Sequence, residues 1–199
     1  MKIILASASP RRRELLAAAG IEYEAMVSDE EEVVEDGLGP EEIVLTLSKQ
    51  KAENVEKLYL SKGDGADKDY LIIGSDTIVY HIGQVLGKPK SEDNAKAMLK
   101  NLSNSTHNVY TGVTLVCVKN GKREVNSFFE KTDVTMTDID DKAIDRMVAS
   151  GEPMDKAGAY AIQGMAGVYI TKINGDYNSV IGLPVGRVIN EIKARGVSI

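Results

Sequence analysis

Ile3-Ile4-Leu5-Ala6-Ser7-Ala8-Ser9-Pro10-Arg11-Arg12-Arg13-Glu14-Leu15-Leu16 reads as a strand that turns directly into a helix. Ile3 to Leu5 form a short apolar run suited to a buried strand, Ser9 suits an N-cap, and Pro10 suits the first helical position, where its missing N–H costs nothing. The helix start carries a conflict. Its first turn exposes unpaired backbone donors and about half a positive charge, so each arginine placed there costs roughly 0.3–1 kcal/mol. A capping box would put Glu or Gln at position 12, and the chain has Arg12. An anion held by Ser7, Ser9, the free N–H groups and the guanidinium forks would turn the conflict into a binding site. A solvated basic helix start with outward arginines is the plainer alternative.

Outward from this stretch, helical and strand patterns alternate to the end of the chain, with no repeat and no low-complexity tract. The first helix is expected to end near Gly20, and Ile21 to Val27 to form a strand before the acidic run Asp29-Glu30-Glu31-Glu32. Gly39-Pro40-Glu41-Glu42 opens a second helix with proline first and acids in its first turn. Its apolar stripe reads Ile43, Leu47, Val55, Leu58, and Lys51 fills the missing four-residue step. That lysine either snorkels from the edge of the stripe or meets an anion in a cleft. Residues 61–69 are a polar loop with two glycines. Tyr70 to Tyr80 is a strand signal interrupted at its centre by Asp76, a carboxylate costly to bury without a cation, a metal or several donors.

A turn over His81 to Gln84 leads back through Val85 and Leu86 to the loop Gly87-Lys88-Pro89. Ser91 caps a helix with Ala95, Met98, Leu99 and Leu102 on one face. Strands over 108–118 and 122–136 are joined at Asn120-Gly121, a favoured two-residue hairpin turn. Asp138 to Ser150 is amphipathic, and residues 152–164 form a glycine-punctuated loop of the kind that grips ligands. Val168 to Ile173, Asn174-Gly175 and Val180-Ile181 suggest a second hairpin, and Pro184 opens a last helix with Val185, Val188, Ile189 and Ile192 inward. The expected fold is α/β with a mixed sheet.

Composition excludes several classes. With 199 residues and 43% hydrophobic content the chain buries a proper core as a single domain over 1–199, in one or two lobes. Its formal charge of −6 argues against a nucleic-acid surface, so the useful positive charge is local. The start is too short in apolar residues for a signal peptide and no stretch is long enough to span a bilayer, so a soluble, cytoplasmic protein without membrane partners is expected. Cys117 lies in an apolar run and reads as a buried strand thiol. Gly83 to Lys88 misses P-loop spacing, no Gly-x-Gly-x-x-Gly follows a strand, and His81 and His107 lack zinc-ligand or triad partners. What remains is an arginine cradle, two lysines, an acidic run and a strand carboxylate. These suit a polyphosphate substrate with a divalent metal.

In this order and spacing the residues resemble the Maf family over essentially the whole chain. The matching segments are Ser7-Ala8-Ser9-Pro10-Arg11-Arg12, the acidic run, Leu47-Ser48-Lys49-Gln50-Lys51-Ala52, Gly74-Ser75-Asp76-Thr77, Gly87-Lys88-Pro89, Asp155 to Tyr160 with Ile162-Gln163-Gly164, and Gly182-Leu183-Pro184. The resemblance implies a nucleoside triphosphate pyrophosphatase dependent on Mg2+, Mn2+ or Co2+. It also implies an elongated, two-lobed, inosine-triphosphatase-like α/β fold, a central mixed sheet flanked by helices, with the active-site cleft between lobes. Ser7, Arg12, Lys51 and Lys88 would bind the substrate phosphates, Glu32 and Asp76 would hold metal, and Asp76 would be catalytic. Glu31 competes with Glu32 for the family's glutamate. Arg11, Thr77 and Gln163 occupy the positions that mark specificity and resemble the subgroup acting on dTTP and UTP. A glutamine amide offers the donor and acceptor that suit a pyrimidine imide. A homodimer is implied as well. The competing expectations are a non-catalytic nucleotide-binding regulator of septum formation and a phosphomonoesterase with an aspartyl nucleophile.

Overall fold

The computed structural model describes residues 1–63 and 69–199. The expected polar loop at 61–69 falls mostly on residues 64–68 and so lies outside the described residues. Seven strands form one mixed sheet in the order β2-β1-β3-β5-β6-β7, with β4 paired to β3. They are β1 (Lys2–Ala6), β2 (Glu24–Ala25), β3 (Tyr70–His81), β4 (Gln84–Leu86), β5 (Thr106–Lys119), β6 (Lys122–Met136) and β7 (Ile170–Asn174). The helices are α1 (Pro10–Ala18), α2 (Pro40–Ser61), α3 (Glu92–Leu102), α4 (Asp141–Ala149), α5 (Tyr177–Ile181) and α6 (Val185–Ala194). β1 is parallel to both β2 and β3, whereas β4 on β3 and β7 on β6 are antiparallel. Among the described residues, no helix is long and apolar enough to cross a membrane.

Backbone contacts group the chain into two compact units. The first comprises Met1–Asp76, Thr111–Phe129 and Gly182–Ile199, and the second Thr77–Tyr110 with Glu130–Ile181. In the first unit the pleat sends alternate residues to opposite faces. Ile3, Leu5, Leu71, Ile73, Val113, Leu115 and Cys117 pack with Leu16, Leu183, Val188 and Ile192. Ile4, Ala6, Ile72 and Val116 pack with Ala52, Val55 and Tyr59 of α2 on the other face. Both faces are covered, which is why these strands are apolar without alternation. The second unit has its own core, in which Ala95, Leu99 and Leu102 of α3 meet Ala143, Ile144 and Met147 of α4 and Val109 and Val134 of the sheet. Ile139 and Ile144 bracket the Asp140 cap of α4, whose carboxylate accepts from Ala143 N.

Three expectations need correction. The region 21–27 contributes only the two residues of β2. The buried stripe of α2 is Val44, Ser48, Ala52, Val55 and Tyr59, so of the expected Ile43, Leu47, Val55 and Leu58 only Val55 belongs to it. The helix rests there on two glycines: a Cβ on Gly74 would lie 2.3 Å from Ser48 O, and one on Gly112 would lie 2.2 Å from Val44 O. Small residues therefore face the sheet, and Ser48 Oγ is satisfied by Thr114 Oγ1 at 3.0 Å. Finally, Val180 and Ile181 lie in α5 and not in a hairpin strand. Thr132 Oγ1 accepts from Asp176 N at 3.0 Å and lies 2.9 Å from Ser179 Oγ, so the chain is drawn into a helical turn after β7.

Candidate active site

In the first unit, β1 delivers the chain to Ser7, which is 6% exposed. Ser9 occupies the N-cap position of α1 without a side-chain cap bond. Ser7 Oγ instead accepts from Ser9 N at 3.1 Å and from Arg12 Nη1 at 3.4 Å, which ties Arg12 to the residue that precedes the helix. Arg12 Nε donates to Gly182 O at 2.8 Å, and Ser75 Oγ donates to the same carbonyl at 2.9 Å. One backbone oxygen thus ties together the start of α1, β3 and the segment leading into α6. Leu16 is the only fully buried side chain of α1, so these polar ties do much of the positioning of its first turn. Burial pushes the Arg12 guanidinium below its ordinary pKa, Asp76 opposes that shift, Arg11 adds to it and Glu32 again opposes. Arg11 is partly buried and Arg13 is exposed.

Lys51 extends from the flank of α2, beside the stripe that rests on Gly74. Its Nζ lies 3.1 Å from Asp76 Oδ1 and also pairs with Glu32 Oε2. The side chains of Lys51 and Asp76 are 20% and 17% exposed, so the pair is largely shielded from water and less screened than a surface bridge. It is Glu32, not Glu31, that reaches the ammonium. The structure therefore brings Ser7, Arg11, Arg12, Glu32, Lys51 and Asp76 into one constellation built from a β-strand turn, a loop, a helix and a central strand.

The remaining sequence candidates, Thr77, Lys88 and Gln163, belong to the second unit. Lys88 is exposed on the turn after β4, and Gly158 N donates to Gly87 O at 3.1 Å, fastening that turn to the 152–164 loop. Within this loop Glu152 accepts from Met165 N at 3.1 Å, and a Cβ on Gly164 would collide with the Glu152 carboxylate. Lys156 is held by Asp155 and by the Glu152 carbonyl at 3.3 Å. Gln163 itself is exposed, and Thr77 is partly buried. His107, 1% exposed, bonds Tyr160 OH at 2.7 Å and is a core residue.

Three participants were not singled out from the sequence. Ser75 and Gly182 meet through a hydroxyl bonded to a backbone carbonyl, and side-chain chemistry gives no signal for that acceptor. Gln50 precedes Lys51, and its amide reaches the backbone of Val33, beside Glu32.

The Ham1 protein of Staphylococcus aureus, a solved structure, is similar to this chain with a TM-score of 0.39 at 16% identity, covering 68% of this chain and 72% of that one. Among curated proteins, dTTP/UTP pyrophosphatase of Lachnoclostridium phytofermentans is 47% identical over 100% of this chain and 97% of its own length. The protein of the same name from Agathobacter rectalis is 46% identical over 100% and 99%. That from Bacillus thuringiensis subsp. konkukian is 43% identical over 100% and 97%. The family model described as Maf-like protein matches residues 2–195, and the chain belongs to the Maf family.

Proposed function

We propose that this chain hydrolyses dTTP and UTP to the monophosphate and pyrophosphate with the help of a divalent cation. The observation that carries the reading is the Lys51 ammonium set between Glu32 and Asp76 in the same unit as the Ser7–Arg12 cradle. Full-length relatives named dTTP/UTP pyrophosphatase support the substrate.

The residues fit a hard cation. Glu32 and Asp76 converge on one positive charge and offer only oxygen donors, as Mg2+ or Mn2+ prefers. Among the described residues no group of three or more His, Cys, Asp or Glu side chains gathers to enclose a metal. Phosphate oxygens and water would complete the shell, which is the usual arrangement for nucleotide-bound Mg2+. When bound, such a cation lowers the pKa of water and offsets phosphate charge.

The chain's own residues do the rest. Arg12, fixed by Ser7 and Gly182, presents its fork to the phosphates, with Lys51 and Lys88 as further counter-charges. Water attacks the α-phosphorus in line with the bridging oxygen to the β-phosphorus. The new P–O bond forms as the bridge breaks, a water proton passes to the Asp76 carboxylate, and pyrophosphate leaves. Arg11, Thr77 and Gln163 select the base. Cytoplasmic location and a homodimeric state belong to the same proposal, and sedimentation velocity reads the second.

The test is a panel of common and modified nucleoside triphosphates, with and without Mg2+ or Mn2+, with products separated by ion exchange. The expected result is metal-dependent pyrophosphate from dTTP and UTP. Orthophosphate as the first product would identify a phosphomonoesterase, and tight nucleotide binding without turnover would identify a regulator.

A further inference from the structure

The acidic run lies in a segment without regular secondary structure, yet one of its carboxylates is delivered to Lys51. Something must hold that segment. Val33 does not anchor it by burial, since its side chain is 63% exposed. The other ties near Glu32 are single contacts: Glu30 N on Ser28 Oγ at 3.2 Å and Lys57 Nζ on Glu30 Oε2 at 3.3 Å, with side chains 66% and 52% exposed in the ion pair. Exposed pairs of this kind contribute little fixed geometry.

The Gln50 amide is different. Its Oε1 accepts from Val33 N at 2.9 Å while its Nε2 donates to Val33 O at 2.6 Å, so a single side chain occupies both backbone groups of the residue next to Glu32. A primary amide suits this role, whereas a carboxylate cannot donate and an ammonium cannot accept. Gln50 and Lys51 are consecutive on α2, which itself lies on β3 through Gly74, two residues before Asp76. The register that sets Lys51 on Asp76 therefore also sets the amide that presents Glu32.

We infer that Gln50 is a positioning residue for Glu32. It touches neither phosphate nor metal and acts by fixing the backbone from which Glu32 projects. The inference rests on the proposed role of Glu32 in holding the divalent cation. In Gln50→Leu, Glu32 keeps its charge but loses its fixed origin, so the Mn2+ concentration giving half-maximal dTTP hydrolysis rises about tenfold and kcat falls by a similar factor. The thermal transition moves little, because the lost bonds are exposed. Amide exchange at Val33 N accelerates.

The deciding experiment is a double-mutant cycle of Gln50→Leu and Glu32→Gln, read by Mn2+ binding in the presence of a non-hydrolysable dTTP analogue as well as by turnover. The expected result is that Gln50→Leu weakens Mn2+ binding in the parent and has no further effect in Glu32→Gln. Restoration of most of the affinity by Gln50→Asn with no change in Val33 exchange would overturn the clamp. So would additive effects of the two substitutions, or a silent Gln50→Leu beside an impaired Glu32→Gln. If Glu32→Gln itself leaves Mn2+ binding unchanged, the reading of Glu32 falls and the inference falls with it.

Discussion

Arg12, Lys51 and Asp76 in the first unit differ from Lys88 and Gln163 in the second in what holds them. The first three project from a helix start, a helix flank and a central strand, and each has a named partner within the cluster. The other two stand exposed on turns and loops whose backbone, not whose side chains, is fastened. Groups that must meet a reacting phosphorus need positions fixed to fractions of an ångström, and rigid elements provide them. Groups that choose among substrates can sit on loops, where variation does not disturb the core. The comparison predicts that substitutions at Arg12, Lys51 and Asp76 act on rate and that substitution at Gln163 acts on preference.

Asp76→Asn is the strongest test. It keeps the shape of the side chain and removes its charge, so kcat for dTTP should fall by at least about 10³-fold, or roughly 4 kcal/mol, with nucleotide affinity measured by titration calorimetry largely retained. Near-parental turnover would break the distinction. The second unit also contains a firmly held group, one to which the proposed chemistry assigns no role. Burial first, and then the charge of His81, push His107 down to about 4 from 6.5, while Tyr160 OH occupies its Nε2. The unfolded chain therefore takes up this proton near pH 6.5 and the folded one only near pH 4. Stability from His107 is complete above pH 6.5 and is lost as pH falls from there to about 4, in total about 3 kcal/mol. Urea melts across that range should show the loss, and His107→Gln should flatten it without altering the substrate profile.

A smaller effect is expected at Gln163. Gln163→Ala should lower the preference for dTTP and UTP over purine triphosphates by about tenfold in kcat/KM ratio, with kcat on the remaining best substrate nearly unchanged. A large loss of kcat would place Gln163 with the pinned group. The smallest effect concerns the two hairpins. Both turn through two residues at positive φ, Asn120 (51°) with Gly121 (76°) and Ile82 (46°) with Gly83 (74°). Asn suits that conformation and a β-branched residue does not, and Ile82 is also 84% exposed. Ile82→Asn should raise stability by about 1 kcal/mol in denaturant melts and leave turnover alone.

Much of this was legible in the chain itself. Pro10 after a short apolar run announced the strand-to-helix turn, Lys51 stood out as a cation on a helical stripe, and Asp76 stood out as an acid in a strand. Lys51 and Asp76 were visible because each violated a local rule, which is where functional positions are expected. The rest was hidden for physical reasons. The true face of α2 is rotated by one residue because glycines of the sheet admit Ser48 and Ala52, and hydrophobic periodicity does not anticipate a satisfied buried hydroxyl. Glu31 and Glu32 compete in the sequence because nothing local marks which neighbour an amide seventeen residues beyond Val33 holds. Val180 and Ile181 have strand-like side chains, but Thr132 takes the preceding backbone into a helical turn, a contact between residues far apart in sequence.

Cys117, 4% exposed in the sheet core of the first unit, gives the protein a reporter of its own motion. Burial raises its thiol pKa, so in the closed state it offers a disulfide reagent neither access nor thiolate. With no second cysteine in the chain, labelling follows a single exponential whose rate, divided by that of a free thiol, is the fraction of time the sheet stands open. Repeated at rising dTTP concentrations with the metal withheld, the same measurement would give the binding constant of the nucleotide for the folded state from the slowing of one chemical step.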